Sequence, residues 1–510
     1  GWNKSKIYLF NSNGLNVSYQ SSGYSIYAIL IAGRGTSMER EYEFASSIFE
    51  RDLAKPSIVG KKAGELAVKG GSDMDMEGLV YEESLVPLVE NGSIDEALLD
   101  DAVRRILRVK FDLGLFEDPY KYSDETREKE NLYTEAHLEA SEDIARKSIV
   151  LLKNENRTLP LKTSVKSIAV IGPLAADKDS PLGNWRAQAV PNSAVSVLEG
   201  IQNKLGDAVE INYAKGADLA VGERAFIQPL KINETDTTGF AEAVSAAEKS
   251  EVVVMVLGED SYQTGEARSY TDITLPGVQQ QLLDAVQAVN KNIVLVLMNG
   301  RPLDLSKPNE QVPAILETWF LGSRAGNAIA DVLFGDYNPS GKLPVSFPRN
   351  VGQEPLYYNR KNTGRPSSDL IFYSGYEDSS IEALFPFGFG LSYTTFEYSD
   401  ISLGAETLNA DGTLTASVSV TNTGDVAGKE TVQLYIRDLF ASKTRPIKEL
   451  RDFKQIELAP GESKTVTFEI TSKTLEFYSA NNIWETEPGD FEVMIGTNSM
   501  DLKKATFSYE

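Results

Sequence analysis

Between Ser148 and Gly335 short apolar runs alternate with helically periodic segments, and that alternation limits what this chain can fold into more than any other feature. SIVLLKN, SIAVIGPLA, AVEINYAKG, VVVMVLG and AILETW are strand-length runs, and SAVSVLEGIQNKLG, FAEAVSAAEKS and QQQLLDAVQAV between them repeat apolar residues at helical spacing. The rhythm predicts a doubly wound, mostly parallel α/β sheet with helices on both faces. One run leads straight into a long polar loop, VVVMVLGEDSYQTGEARSYTDITLP, from Val252 to Pro276. Gly258 ends the strand, and the next helix starts near Pro276. Glu266 therefore falls on a loop beyond the carboxyl end of a parallel strand, where open α/β sheets place ligand chemistry. On spacing alone it reads equally well as a solvated loop acid, the usual setting of a glutamate.

The flanking segments divide the chain. Residues 336–400 are rich in Pro, Gly and aromatics and read as a connector that packs, because a free linker would expose its many rings. From Ile401 onward TLTASVSVTNTG, ETVQLYIRD, SKTVTFEI and DFEVMIG alternate apolar and polar residues between turn signals, which predicts a small antiparallel β-sandwich. Near the N-terminus IYLFNSNGL and SGYSIYAILIAG read as two strands joined through a Ser-Asn-Gly turn, followed by the helix IVGKKAGELAVK. Leu98 to Leu113 forms a helix with Asp100 and Asp101 early and Arg104, Arg105, Arg108 and Lys110 late, a match to the helix dipole, and Gly114 stops it.

Composition excludes several chemistries. A charge of −24 disfavours nucleic acid and anionic membrane as partners, and no stretch approaches the ~18 apolar residues of a membrane span. Without cysteine there is no disulfide framework or thiolate metal site, so the compartment is unreadable; Gly1 opens no signal-like segment and reads as a processed, truncated or engineered start. The one histidine, His137, lies in an amphipathic helix running into an apolar strand, and a single histidine cannot build an HExxH site. The chemistry must rest on carboxylates. Trp185, in PLGNWRAQ, follows a strand and offers either a stacking face for a sugar ring or ordinary core packing.

The phrases GEARSYTDITLPGVQQQLLDAV, VLVLMNGRPLDL, VPAILETWFLGSRAGNAIADVLFGDYNPSGKLPVSFPR and LFPFGFGLSYTTFEY closely resemble the C-terminal half of glycoside hydrolase family 3, the β-glucosidase and β-xylosidase group, from about Gly71 to the C-terminus. The resemblance implies that Glu266, in GEA, is the general acid/base, that no metal or organic cofactor takes part, and that the sandwich is fibronectin type III-like. Arg268 is a candidate substrate contact beside it, and the family's usual Arg is replaced by Tyr270. KGGSDMDME resembles the last turn of the family's (β/α)8 barrel, which makes Asp73 a candidate substrate contact; with Asp75 it also suits a helix start. The SDW-like phrase that carries the family's nucleophile is not found, and 70 residues are too few for eight βα units, which need about 200 or more. The barrel is therefore expected to be largely missing. Residues 1–70 resemble a fragment of the modulator-of-gyrase zinc peptidases without their HExxxH element, so no peptidase function carries over.

The expected organisation is a peptidase-like α+β fragment at 1–70, barrel remnant and exit helices at 71–147, the α/β domain at 148–347, the connector at 348–400 and the sandwich at 401–510, with a seam near Gly70. Two functions compete. One is retaining hydrolysis of terminal β-linked glucosyl or xylosyl residues with this chain supplying the acid/base, alone, as an oligomer or with a barrel-bearing partner. The other is a catalytically incomplete sugar-binding or interaction module. An oligosaccharide or β-glycoside is the expected ligand of both.

Overall fold

The computed structural model describes residues 2–10, 16–34, 37–47, 56–76, 79–225, 228–366 and 374–510, with side chains from residue 61 onward. The Ser-Asn-Gly turn expected at 11–14 lies outside them. The chain divides into two compact units, residues 1–132 and 133–510.

In the first unit, β1 (Trp2–Phe10), β2 (Asn16–Arg34) and β3 (Ser37–Ser47) form an antiparallel meander with Phe10 opposite Asn16 and Arg34 opposite Ser37. Helix α1 (Pro56–Lys69) lies against β2 and β3 and also packs on α2 (Val80–Glu90). The expected seam near Gly70 is bridged. Val68 of α1 is buried with Leu88 of α2 and Ile94, and Asp73 pairs at 2.7 Å with Arg105 of α3 (Glu96–Asp112). The apolar contact thus crosses the point where the sequence changes character, the ion pair ties α3 to the stretch just beyond that point, and the division falls at Leu132 instead. Asp95 caps α3 by accepting from Ala97 N–H, and α4 (Glu125–Asn131) closes the unit.

The second unit opens with α5 (Glu135–Ser148), which carries the exposed His137, and β4 (Val150–Asn154). There follow β5 (Ser167–Ile171), α6 (Val197–Leu205), β6 (Glu210–Ala214), α7 (Phe240–Glu248), β7 (Val252–Gly258), α8 (Gln279–Val289), β8 (Ile293–Met298), α9 (Ser306–Gln311), β9 (Ala314–Glu317) and α10 (Ala325–Phe334). The sheet order is β4-β9-β8-β7-β5-β6, parallel throughout except for β4 on β9. Strands β5, β7, β8 and β9 are buried along their whole length, which is why they read as continuous apolar runs. One face packs on α6 and α10 through Ile201, Ile329 and Leu333; the other holds Leu282, Leu283 and Val286 of α8.

The connector does pack. Phe347 and Phe385 are buried in the second face, their rings 6.4 Å apart, and Tyr393 Oη donates to Val332 O at 2.6 Å. Beyond it a four-stranded and a five-stranded sheet close on one core that includes Val418, Leu434, Phe468 and Val493. Every strand pair of this sandwich is antiparallel but one, the short parallel pairing of Thr407–Leu408 with Ser508–Tyr509.

Candidate active site

The parallel strands end on one edge of the sheet. From β5 the chain crosses to β6 on one side and returns to β7 on the other, so the loops after β5 and β7 diverge at the topological switch point. Trp185 lies on the first of these loops and Glu266 on the second.

The bend out of β7 needs glycine. Gly258 has φ 139°, and a Cβ there would meet Met298 O at 2.0 Å. Gln279, buried in the first turn of α8, accepts from Gly258 N–H at 2.9 Å and donates to Gly258 O at 2.8 Å and Pro276 O at 2.9 Å. One amide side chain therefore closes both stems of the loop. Inside it, Asp260 and Gln263 cap a single tight turn reciprocally, Asp260 accepting from Tyr262 N–H and Gln263 from Asp260 N–H, each at 2.9 Å.

Gly265, with φ 104°, brings the two loops together. A Cβ at this position would lie 2.2 Å from Asn184 Nδ2 and 3.4 Å from Trp185 Nε1. Asn184 Nδ2 donates to Thr264 O, so the Trp185 loop touches the backbone two residues before Glu266. Ala267, just after it, sits at φ 58°, a conformation that costs a non-glycine residue roughly 1–2 kcal/mol. Glu266 is thus held between two left-handed residues, its side chain exposed. Trp185 is 68% exposed beside it.

Charge pairs brace the two loops. Asp179 and Arg186 meet at 2.6 Å, and Arg224 and Asp260 at 2.6 Å. Both guanidinium groups lie over the Tyr262 ring, at 5.2 and 5.7 Å, and Arg186 donates to Tyr262 Oη at 2.5 Å. Burial pushes the Asp260 carboxyl above the usual carboxylate range, with Arg224 and the Tyr262 N–H pulling it back. On the other flank Arg301 pairs with Glu259 at 2.8 Å, donates to Gln263 O and covers the Tyr270 ring at 4.9 Å. Burial raises Glu259 against the pull of Arg301. Buried acceptors without a hydrogen-bond partner lie here as well, Asn184 Oδ1 and Ser261 Oγ on the two loops and Asn299 Oδ1 on the turn after β8.

Of the residues singled out in the sequence, Glu266, Trp185 and Arg268 share this loop cluster. Arg268 supports the loop itself, with Nε donating to Tyr262 O at 3.2 Å and a terminal nitrogen to Gln228 O at 3.3 Å. Asp73 belongs to the first unit, where it pairs with Arg105, and Asp75 there accepts from Tyr81 N–H at 3.0 Å. Arg186, Tyr262, Gln279 and Arg301 escaped the sequence reading. The position of Arg186 directly after Trp185, and of Arg301 just past a strand end, were the available signals.

Residues 149–393 match the glycosyl hydrolase family 3 C-terminal domain, and residues 430–499 the fibronectin type III-like domain. The chain is 46% identical over 460 residues to a periplasmic β-glucosidase of Salmonella typhimurium, covering 87% of this chain and 60% of the relative. It is 41% identical to a β-xylosidase of Formosa agariphila, covering 88% of this chain and 61% of that one. Residues 149–393 are a glycosyl hydrolase family 3 C-terminal domain. Over 89% of its length the chain is similar to a crystal structure of the β-glucosidase from Listeria innocua in complex with glucose, at TM-score 0.79 and 37% identity, covering 60% of that one. The chain therefore spans about 60% of the length of these relatives. The family 3 domain contains both loops of the switch point and the aromatic connector as far as Tyr393. Residues 2–70 match the PmbA/TldA metallopeptidase central domain over that short stretch alone.

Proposed function

We propose that this chain supplies the general acid/base, Glu266, for retaining hydrolysis of terminal β-linked glucosyl or xylosyl residues. The observation that carries the reading is the pairing of loops at the switch point, which brings the backbone just before the exposed Glu266 against the loop of the exposed Trp185. A retaining glycosidase uses two carboxyl groups about 5–5.5 Å apart, one as nucleophile and one as acid, then base. Glu266 protonates the leaving oxygen and, once ionised, takes a proton from the incoming water. Trp185 stacks on a pyranose face. Arg268 is the further candidate substrate contact on these loops, and no metal or organic cofactor enters. No residue of this sequence is assigned as the nucleophile; the reading takes it from a barrel of the family 3 type, and a barrel-bearing partner chain or an oligomer is one way to supply it.

The exposure of Glu266 favours a second reading, a sugar-binding or interaction module without turnover of its own. Incubation of the full chain with a nucleophile-trapping fluorosugar, followed by intact-mass measurement, separates the two. The first reading expects no label on this chain alone, with the weak turnover of an aryl β-glucoside of poor leaving group lost in Glu266→Ala. A label on an aspartate of this chain, with robust turnover, would show that the site is complete without a partner. Unlabelled chain with no turnover, but with glycan-dependent quenching of Trp185, would favour the module.

A further inference from the structure

The end of β9 holds a carboxyl that this chemistry leaves unused. Glu317 is the last residue of the strand and is fully buried. Its Oε1 accepts from Trp319 N–H at 2.9 Å and its Oε2 from Asn299 Nδ2 at 3.1 Å. Trp319 sits at φ 51°, so the carboxyl pins a bulky residue in the left-handed region. The same Asn299 nitrogen donates to Arg301 O at 2.9 Å and fixes the turn after β8. From that turn the Arg301 guanidinium reaches the loop after β7 at three points: Glu259, Gln263 O and the Tyr270 ring. Gln263 precedes Glu266 and Tyr270 follows it, so Arg301 holds the loop on both sides of the proposed acid/base.

We propose that Glu317 is a positioning residue for the Glu266 loop, acting through Asn299 and Arg301. The inference deepens the reading of Glu266 as acid/base and rests on it. Burial pushes the Glu317 carboxyl up to about 8, and Glu259 pushes it in the same direction, against the N–H groups of Trp319 and Asn299. Near neutrality it carries a proton, and Arg301 is left to Glu259 and the loop. Loss of that proton adds a second negative charge to the buried set, and Arg301 is drawn between two carboxylates. The charged group that acts on Glu317 is Glu259, from the loop after β7; Arg301 is joined to it only through Asn299, whose nitrogen bridges Glu317 Oε2 and Arg301 O. The cross-strand neighbours of Glu317 are the apolar Val150 of β4 and Leu297 of β8.

Backbone hydrogen exchange over residues 259–272 of the full chain tests this at pH 6.5 and 9, corrected for intrinsic rates. The sandwich strand Leu414–Asn422 serves as a reference for intact folding. Because most of Glu317 ionises between those two pH values, the wild-type loop is expected to exchange about tenfold faster at the higher one. Glu317→Gln, uncharged at both, removes that step, and Asn299→Ala speeds the loop at both. A pH step that survives in Glu317→Gln overturns the proposal, as does a loop indifferent to Asn299→Ala in a chain whose reference strand stays protected. Where the reference strand also loosens in Asn299→Ala, the Gln variant alone decides. Hydrolysis is a separate matter. A loop that behaves as expected in a chain whose glycoside turnover ignores Glu266→Ala would keep the relay and remove the acid/base reading.

Discussion

Gln279 holds Gly258 by both of its backbone groups, accepting from N–H at 2.9 Å and donating to C=O at 2.8 Å, while its Nε2 also reaches Pro276 O. Both stems of the Glu266 loop thus depend on one buried amide. Gln279→Leu strands the Gly258 N–H and two carbonyls without partners. Each unmet buried group costs about 1–3 kcal/mol, so the three together are expected to destabilise by at least about 3 kcal/mol in chemical denaturation. An effect below about 1 kcal/mol, the net worth of one ordinary hydrogen bond, would mean that the loop closes without the clamp.

Gly265→Ala places a methyl group 2.2 Å from Asn184 Nδ2, at a backbone φ of 104°. The strain is of order 1–3 kcal/mol, and relieving it parts the Trp185 loop from the Glu266 loop. Trp185 emission should shift in Gly265→Ala and hold steady in Ala267→Gly, where the backbone conformation suits glycine better. Emission that is the same in wild type and Gly265→Ala would contradict the loop contact.

Glu317 makes stability depend on pH in a definite direction. Its folded value, about 8, is raised above the ordinary carboxyl value of 4.5. Its contribution is therefore fully present below about 4.5 and is lost as pH rises through about 8. Thermal scans should show the wild type losing stability across that window relative to Glu317→Gln. Parallel curves for the two proteins would place Glu317 outside the titration.

The connector binds the family 3 domain to its own second face, since Phe347 and Phe385 are paired and buried there. A chain of residues 148–510 is expected to be soluble and cooperative, whereas one ending at Phe347 exposes that face and aggregates. A monomeric, folded protein ending at Phe347 would show that the aromatic packing is dispensable.

Strands were the most legible part of this sequence. The unbroken apolar run Val252–Leu257 followed by Gly258 marks a buried parallel strand and its bend, and the alternation in Leu414–Asn422 marks a half-covered one. The Glu266 loop was legible in place but not in detail. Arg301 with Glu259, and Arg186 with Asp179, join residues whose meeting is decided by which strands lie side by side, and no local periodicity records that. The boundary at Leu132 was hidden for a similar reason. Val68 reads as the end of one segment and Leu88 as part of the next, and only their packing against each other joins the two.

The most direct test of the central claim compares two aryl β-glucosides, one with a good and one with a poor leaving group, in the wild-type chain and in Glu266→Ala. Proton donation matters only where the leaving oxygen needs it. Glu266→Ala is expected to lower kcat/KM for the poor leaving group by ~10²- to 10⁴-fold and to leave the good one far less affected. Equal loss for both substrates, or turnover that ignores Glu266→Ala, would contradict a general acid at Glu266.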